Sequence, residues 1–87
     1  MARAQYTEGF KRDYERLPEH LKDATDKQIR NLLADRSHPS LRLKKMKKFE
    51  HIWEARVSHG YRITCIFRDE DIILYRVGPH DIERRPR

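Results

Sequence analysis

An α+β fold, with an N-terminal helical hairpin packed on one face of a three- to four-stranded antiparallel sheet, is what the sequence predicts, and three observations predict it. Apolar residues recur at helical spacing through the first 35 positions. Three runs of alternating apolar and polar residues then fill positions 52–81, and this period of two is the mark of half-buried strands. The turns between these runs are far shorter than the crossover of about a dozen residues that a parallel pair requires.

The first helix is expected from Thr7 to Arg16. Thr7 is suited to its N-cap, Glu8 lies near its positive end, and Phe10, Tyr14 and Leu17 share one face. Pro18 closes it, because the residue before a proline is driven extended while proline is tolerated in the first turn of a new helix. The second helix is expected from about Pro18 to Asp35, with Leu21, Ala24, Gln28 and Leu32 in one row and Ile29 and Leu33 beside it. Helices joined this tightly form an αα-hairpin whose apolar stripes need a common partner, and the downstream sheet supplies one. The segment RSHPS, 36–40, reads as a linker in which Pro39 forbids helix continuation.

LRLKKMKKFE, 41–50, fits neither period cleanly, and a short first strand from Leu41 to Lys45 followed by a basic loop is the expectation. Lys44, Lys45, Lys47 and Lys48 then form a solvent-facing positive patch. Lysines commonly protect an edge strand from aggregation, but four in five positions exceed that need and favour phosphate contact. In Ile52 to Ser58, Trp53, Ala55 and Val57 face the core, and Glu54 and Arg56 face away. In Tyr61 to Arg68, Tyr61, Ile63, Cys65 and Phe67 alternate with Arg62, Thr64 and Arg68. The third run is expected to turn Ile73, Tyr75 and Val77 inward and Arg76 outward, with His80 just beyond. Ser58–Gly60 and Arg68–Asp71 are the intervening turns, and the closing IERRPR reads as a basic tail that leaves the body.

The 87 residues form one domain with a modest core. A formal net charge of +6 and a pI near 9.8 favour an acidic partner, nucleic acid first, with an anionic membrane surface or an acidic protein behind it. With 37% hydrophobic and 39% charged residues, the isolated chain is expected to be marginally stable and to gain from a partner that buries more surface. Cys65 is the single cysteine, so no intrachain disulfide forms and a buried reduced thiol is expected. The N-terminal MARAQYTEGF lacks the apolar stretch of a signal peptide and no run reaches transmembrane length, which predicts a cytoplasmic protein without membrane contact. None of the five histidines has metal-ligand spacing, so neither metal nor cofactor is expected.

With helices on one side of the sheet, the other side collects Glu54, Arg56, Arg62, Arg76 and the nearby His80. Clustered arginines repel unless an anion lies between them, and their forked guanidinium groups match phosphate oxygens. Cleaving RNA through its own 2′-OH needs a base for the hydroxyl proton, cations on the crowded phosphorus and an acid for the leaving 5′ oxygen. His80 has the right chemistry for the proton steps, and Glu54, His51 and His59 are all candidates for the base. The opposing reading is a solvated face of interstrand ion pairs, Glu54 opposite Arg62 among them. Composition and spacing alone lean to the solvated, ion-paired face.

The order of helix, helix, IWEARV, GYRITCIF and ILYRVGPHD resembles the RelE/ParE superfamily of bacterial type II toxins, especially the RelE and YafQ-like messenger RNA interferases, over nearly the whole chain. The residues that carry the resemblance are the strand led by Trp53 with Glu54 and Arg56, the pair Tyr61-Arg62, and Val77 to Asp81. The resemblance implies a RelE-like fold and a ribosome-dependent endoribonuclease that cuts messenger RNA in the A site, without metal, leaving a 2′,3′-cyclic phosphate and a 5′-OH. It implies catalytic roles for Arg62 on the scissile phosphate, His80 as acid, Arg56 as transition-state stabiliser and Glu54 as base. Lys44, Lys45, Lys47, Lys48 and Arg76 would bind RNA, and a cognate antitoxin would neutralise the protein. Some relatives end in a tyrosine or phenylalanine that orients the nucleotide, whereas this chain offers only DIERRPR after His80. A ParE-like inhibitor of DNA gyrase, sharing the fold without the nuclease residues, is the alternative implied.

Overall fold

The computed structural model describes residues 2–87, in which a five-stranded sheet carries two helices on one face. Strand β1 spans Ala4–Tyr6, helix α1 Glu8–Glu15, α2 Glu19–Ala34, β2 Lys44–Lys45, β3 Trp53–Ser58, β4 Tyr61–Arg68 and β5 Asp71–Pro79. Short 3-10 turns occupy Pro39–Leu41 and His80–Arg84. The sheet order is β1-β5-β4-β3-β2, antiparallel throughout except that β1 lies parallel to β5.

Thr7 caps α1 as its position requires, its hydroxyl oxygen accepting from the Phe10 N–H at 3.1 Å. Pro18 precedes α2, and Tyr14 ties the two helices together by donating to Asp26 at 2.9 Å. That bond, then burial, pushes the Tyr14 phenol up to about 12. The hairpin buries Phe10, Leu17, Leu21, Ile29 and Leu32 against Ala55, Val57, Ile63, Cys65, Ile72, Leu74 and Val77 of the sheet. Cys65 is fully buried, and loss of hydration pushes its thiol up to about 12. At pH 8 the folded protein is therefore expected to leave Cys65 unmodified by an aromatic disulfide reagent. One equivalent should react once denaturant is added, and rapid native labelling would contradict this packing.

Four departures from the sequence expectation have physical causes. The first is β1, a strand of three residues that has no period of its own to read and exists because Ala4, Gln5 and Tyr6 pair with Ile72, Ile73 and Leu74. It makes the sheet five-stranded rather than three- to four-stranded and gives it one parallel edge. The second is Leu41, which sits in a 3-10 turn after Pro39 instead of opening a strand; the strand expected over Leu41 to Lys45 shrinks to Lys44–Lys45. Arg42 has φ of 44°, a left-handed conformation that breaks any extended run from Leu41.

The third departure lies in β5. A bulge shifts the register between Thr64 paired with Arg76 and Cys65 paired with Leu74, so Tyr75 has no partner opposite. The inward residues of β5 are consequently Ile72, Leu74 and Val77, not Ile73, Tyr75 and Val77. Fourth, the C-terminal segment does not leave the body. It folds back across the face of the sheet opposite the helices, burying Ile82 and Pro86, and Thr64 donates to the Pro86 carbonyl at 2.6 Å. Gly78 makes room for it: a Cβ there would lie 3.1 Å from Ile82 Cγ2.

Candidate active site

The register of β2 to β5 arranges the charged face in two rows. In one row Lys44, Glu54, Thr64 and Arg76 are successive cross-strand partners; in the next, Arg56, Arg62 and Gly78 are. Glu54 thus lies opposite Thr64 rather than Arg62, because the chain reverses at His59 and Gly60, one residue later than a Glu54–Arg62 pairing requires. The extra residue is taken up between Arg56 and Ser58. Arg62 lies directly opposite Arg56.

Each candidate side chain has a definite environment. Glu54 is 2% exposed, and its Oε1 accepts from Lys44 Nζ at 3.1 Å. Burial raises its pKa, but the carboxyl of Glu83, Lys44 and the positive charge of Arg62 together outweigh burial and hold it below the usual glutamate value. Arg62 is half-buried and turns one nitrogen, Nη1, toward the carbonyls of Tyr61 and Ser58, at 2.9 and 3.1 Å. Arg56 is half-buried, and among the described residues its guanidinium has no hydrogen-bond or ion-pair partner. Its backbone carbonyl accepts from Gln28 at 2.7 Å, which fixes β3 under α2.

Arg76 is committed elsewhere. Its Nε and Nη2 form a bidentate pair with Asp13 at 2.6 and 3.1 Å, and its Nη1 donates to the Arg85 carbonyl at 3.2 Å. Expected as an RNA contact, it works in this structure as a clamp joining α1, β5 and the C-terminal segment. His80 is exposed, and its backbone N–H donates to the Gly60 carbonyl at 2.8 Å. That bond seats His80 beside the β3–β4 turn that carries His59. His51 sits beyond the far end of β3, in the left-handed region at φ 66°, so the whole of β3, about 17 Å long, separates it from that turn. Of the three candidate bases, His59 is the one whose turn meets His80.

Lys45, Lys47 and Lys48 are exposed and, with Lys44, Met46, Phe49, Arg84, Glu54 and Glu83, line a cleft of about 630 Å³ between the β2–β3 loop and the C-terminal segment. Four lysines therefore share this cleft with two carboxyl groups. Sequence reading missed Glu83 and Asp13. Asp13 had a signal in its helical position facing the sheet, but Glu83 lay in a segment too short and too charged to be read as folded.

Comparison with known proteins decides the family. Residues 4–83 match the family described as ParE toxin of type II toxin-antitoxin system, parDE. The chain belongs to the ParE toxin family of type II toxin–antitoxin systems. Solved structures agree on the fold. The RelB–RelE antitoxin–toxin complex of Methanococcus jannaschii superposes with a TM-score of 0.70 at 23% identity, covering 88% of this chain and 91% of the other. YafQ of Escherichia coli gives 0.76 at 11% identity, with 90% and 92% covered. The YoeB/ParE toxin of Agrobacterium tumefaciens gives 0.75 at 15%, with 90% and 98% covered. A search by sequence among curated proteins finds no match. This ParE-family toxin thus has the RelE-like α+β architecture of the wider RelE/ParE superfamily. No helix among its described residues is long and apolar enough to cross a membrane.

Proposed function

We propose that this toxin is a ribosome-dependent endoribonuclease that cleaves messenger RNA in the A site by attack of the 2′-OH on the adjacent phosphorus. The observation that carries the reading is the direct opposition of Arg56 and Arg62 on the charged face. Like charges facing each other across a strand pair are unfavourable, and a phosphodiester between them converts the repulsion into two charge-assisted contacts. Arg62 and Arg56 hold the phosphate and stabilise the negative charge that grows on its oxygens. Glu54, kept ionised by Lys44 and Arg62, accepts the 2′ proton in this scheme, and His80 returns one to the 5′ oxygen. Lys45, Lys47 and Lys48 contact phosphates that flank the site, in messenger or ribosomal RNA. The arginines supply the positive charge that the reaction needs, so the scheme calls for no metal.

The partner in this reading is a cognate antitoxin. The solved relatives include the Methanococcus jannaschii RelB–RelE complex and the Escherichia coli DinJ–YafQ toxin–antitoxin complex, and the basic surface of this chain suits an acidic partner. A second reading, gyrase inhibition without nuclease activity, is favoured by the burial of Glu54 under the C-terminal segment and by the commitment of Arg76 to Asp13. Brief induction of the intact chain, with mapping of RNA 5′ ends, separates the two. Growth arrest with new 5′-OH ends inside codons is expected. Intact messenger RNA together with an induced DNA-damage response would transfer the assignment to gyrase.

A further inference from the structure

The C-terminal segment is held over the charged face by four contacts of different chemistry. Ile82 rests on Gly78, Thr64 donates to the Pro86 carbonyl, Arg76 donates to the Arg85 carbonyl, and the Arg87 guanidinium stands 5.9 Å from the Tyr75 ring centre. Beneath the segment, Glu83 and Glu54 line one cleft, and each carboxyl displaces the titration of the other. Two ionised carboxylates have no proton to place between them. In that state the buried Oε2 of Glu54 has no donor at all, because Lys44 reaches only Oε1. A buried carboxylate oxygen without a donor is costly, and the group placed to supply one is the Glu83 carboxyl.

We infer that Glu83 is a positioning residue of this site, sharing one proton with Glu54 and so fixing both the Glu54 carboxylate and the segment folded above it. The proton resides on Glu83 and is donated to Glu54 Oε2. Lys44 from β2 and Arg62 from β4 stabilise the ionised partner, and Lys45, Lys47 and Lys48 of the β2–β3 loop and Arg84 beside Glu83 complete the charges around the pair. The titration directions agree with this placement. The Glu54 hydrogen bond, burial and the Glu54 charge raise Glu83 above the usual glutamate value, while Glu54 is lowered. The raised Glu83 contributes docking stability that is present below its unfolded value and is lost as pH rises through its folded value. The lowered Glu54 contributes stability present above its unfolded value and lost as pH falls through its folded value. The segment is therefore held most firmly in a window on either side of the ordinary glutamate value, where the pair carries one proton, and loosens above it as two carboxylates come to face each other.

The consequence for RNA cleavage rests on the function proposed above, but the pair itself does not, and the experiment keeps the two apart. Carboxyl carbons of the full chain, labelled with carbon-13 at glutamate, are titrated by NMR from pH 3 to 8 alongside amide exchange of residues 80–87. The intact chain should show Glu83 titrating above and Glu54 below the free glutamate value, with exchange of the segment accelerating, beyond the intrinsic rate, through the Glu83 transition. Glu83→Gln donates an N–H at every pH, so its segment should exchange independently of that transition. Glu83→Ala should leave the segment open across the range while far-UV circular dichroism stays that of a folded domain. Glu83 titrating at the free value, or a Glu54 titration unmoved in Glu83→Ala, overturns the inference. In RNA cleavage, Glu83→Ala should move the acidic limb of the pH profile upward while Glu83→Gln leaves it close to that of the parent, and a limb unmoved in Glu83→Ala reduces Glu83 to a structural contact and overturns its positioning role. An intact chain that cleaves no RNA at any pH defeats the nuclease assignment alone, since titration and exchange still decide the proton.

Discussion

Asp13→Ala is expected to lower stability by roughly 3–5 kcal/mol, the range found when one partner of a buried, hydrogen-bonded ion pair is removed. Asp13 carries three bonds through two oxygens: Arg76 Nε at 2.6 Å, Arg76 Nη2 at 3.1 Å and the Val77 N–H at 3.2 Å. The last of these completes the edge of β5. Strand β1 pairs that edge only as far as Leu74, the Thr7 hydroxyl donates to the Tyr75 carbonyl at 2.9 Å, and Asp13 takes the next free N–H. Deleting the carboxylate strands an arginine whose side chain is 28% exposed and leaves a strand amide without its acceptor. A domain of this size has a total stability of about 4–13 kcal/mol, so the variant stands near the folding threshold. Urea unfolding of Asp13→Ala and Asp13→Asn checks it. The asparagine keeps an acceptor for Val77 and should recover part of the loss. A midpoint within error of the parent protein would show that this clamp is dispensable.

The second large effect is on activity. Arg62→Ala should reduce RNA cleavage by at least about 100-fold, the scale set by removing a preorganised donor to a charged transition state, and should relieve growth arrest. Arg62→Lys keeps the charge but not the planar fork, and most of the activity should go with the fork. Because Arg62 also binds the carbonyls of Ser58 and Tyr61, each variant sacrifices about 1 kcal/mol per lost bond, so melting curves must accompany the assay. An Arg62→Ala, His80→Ala double variant that remained folded and fully toxic would remove both residues from the chemistry.

How much of this was legible in the sequence varies with how local the determinants are. Helix α1 and its cap were readable because Thr7, Phe10 and Tyr14 act within two turns of chain. Strands β3 and β4 were readable because Trp53–Val57 and Ile63–Phe67 alternate on a half-buried surface. β1 was not, since Ala4–Tyr6 becomes a strand only by meeting β5, 68 residues away. The charged face was legible as a set of residues but not as a geometry. Two register shifts, at Tyr75 and between Arg56 and Ser58, decide who faces whom, and a bulge leaves no compositional trace. Arg56, Arg62 and Glu54 do share that face. Arg76 shares it too, but is occupied by an aspartate from α1 that strand periodicity could not reveal. The C-terminal segment was misread as a tail because ERRPR is charged, yet its backbone carbonyls, which every sequence carries alike, are what Thr64 and Arg76 bind.

The parallel pairing of β1 with β5 also sets the order in which the chain can fold. Helices α1 and α2 and the hairpins of β3, β4 and β5 use neighbouring residues, and such contacts form early. Closing β1 onto β5 joins residue 4 to residue 72, and the Asp13 clamp joins residue 13 to residue 76. Both must wait until β5 has left the ribosome. The charged face takes its final shape only when β5 and the segment after it arrive. A nascent chain halted before Asp71 is thus a helical hairpin beside an open sheet, without the strand and the segment that complete the charged face.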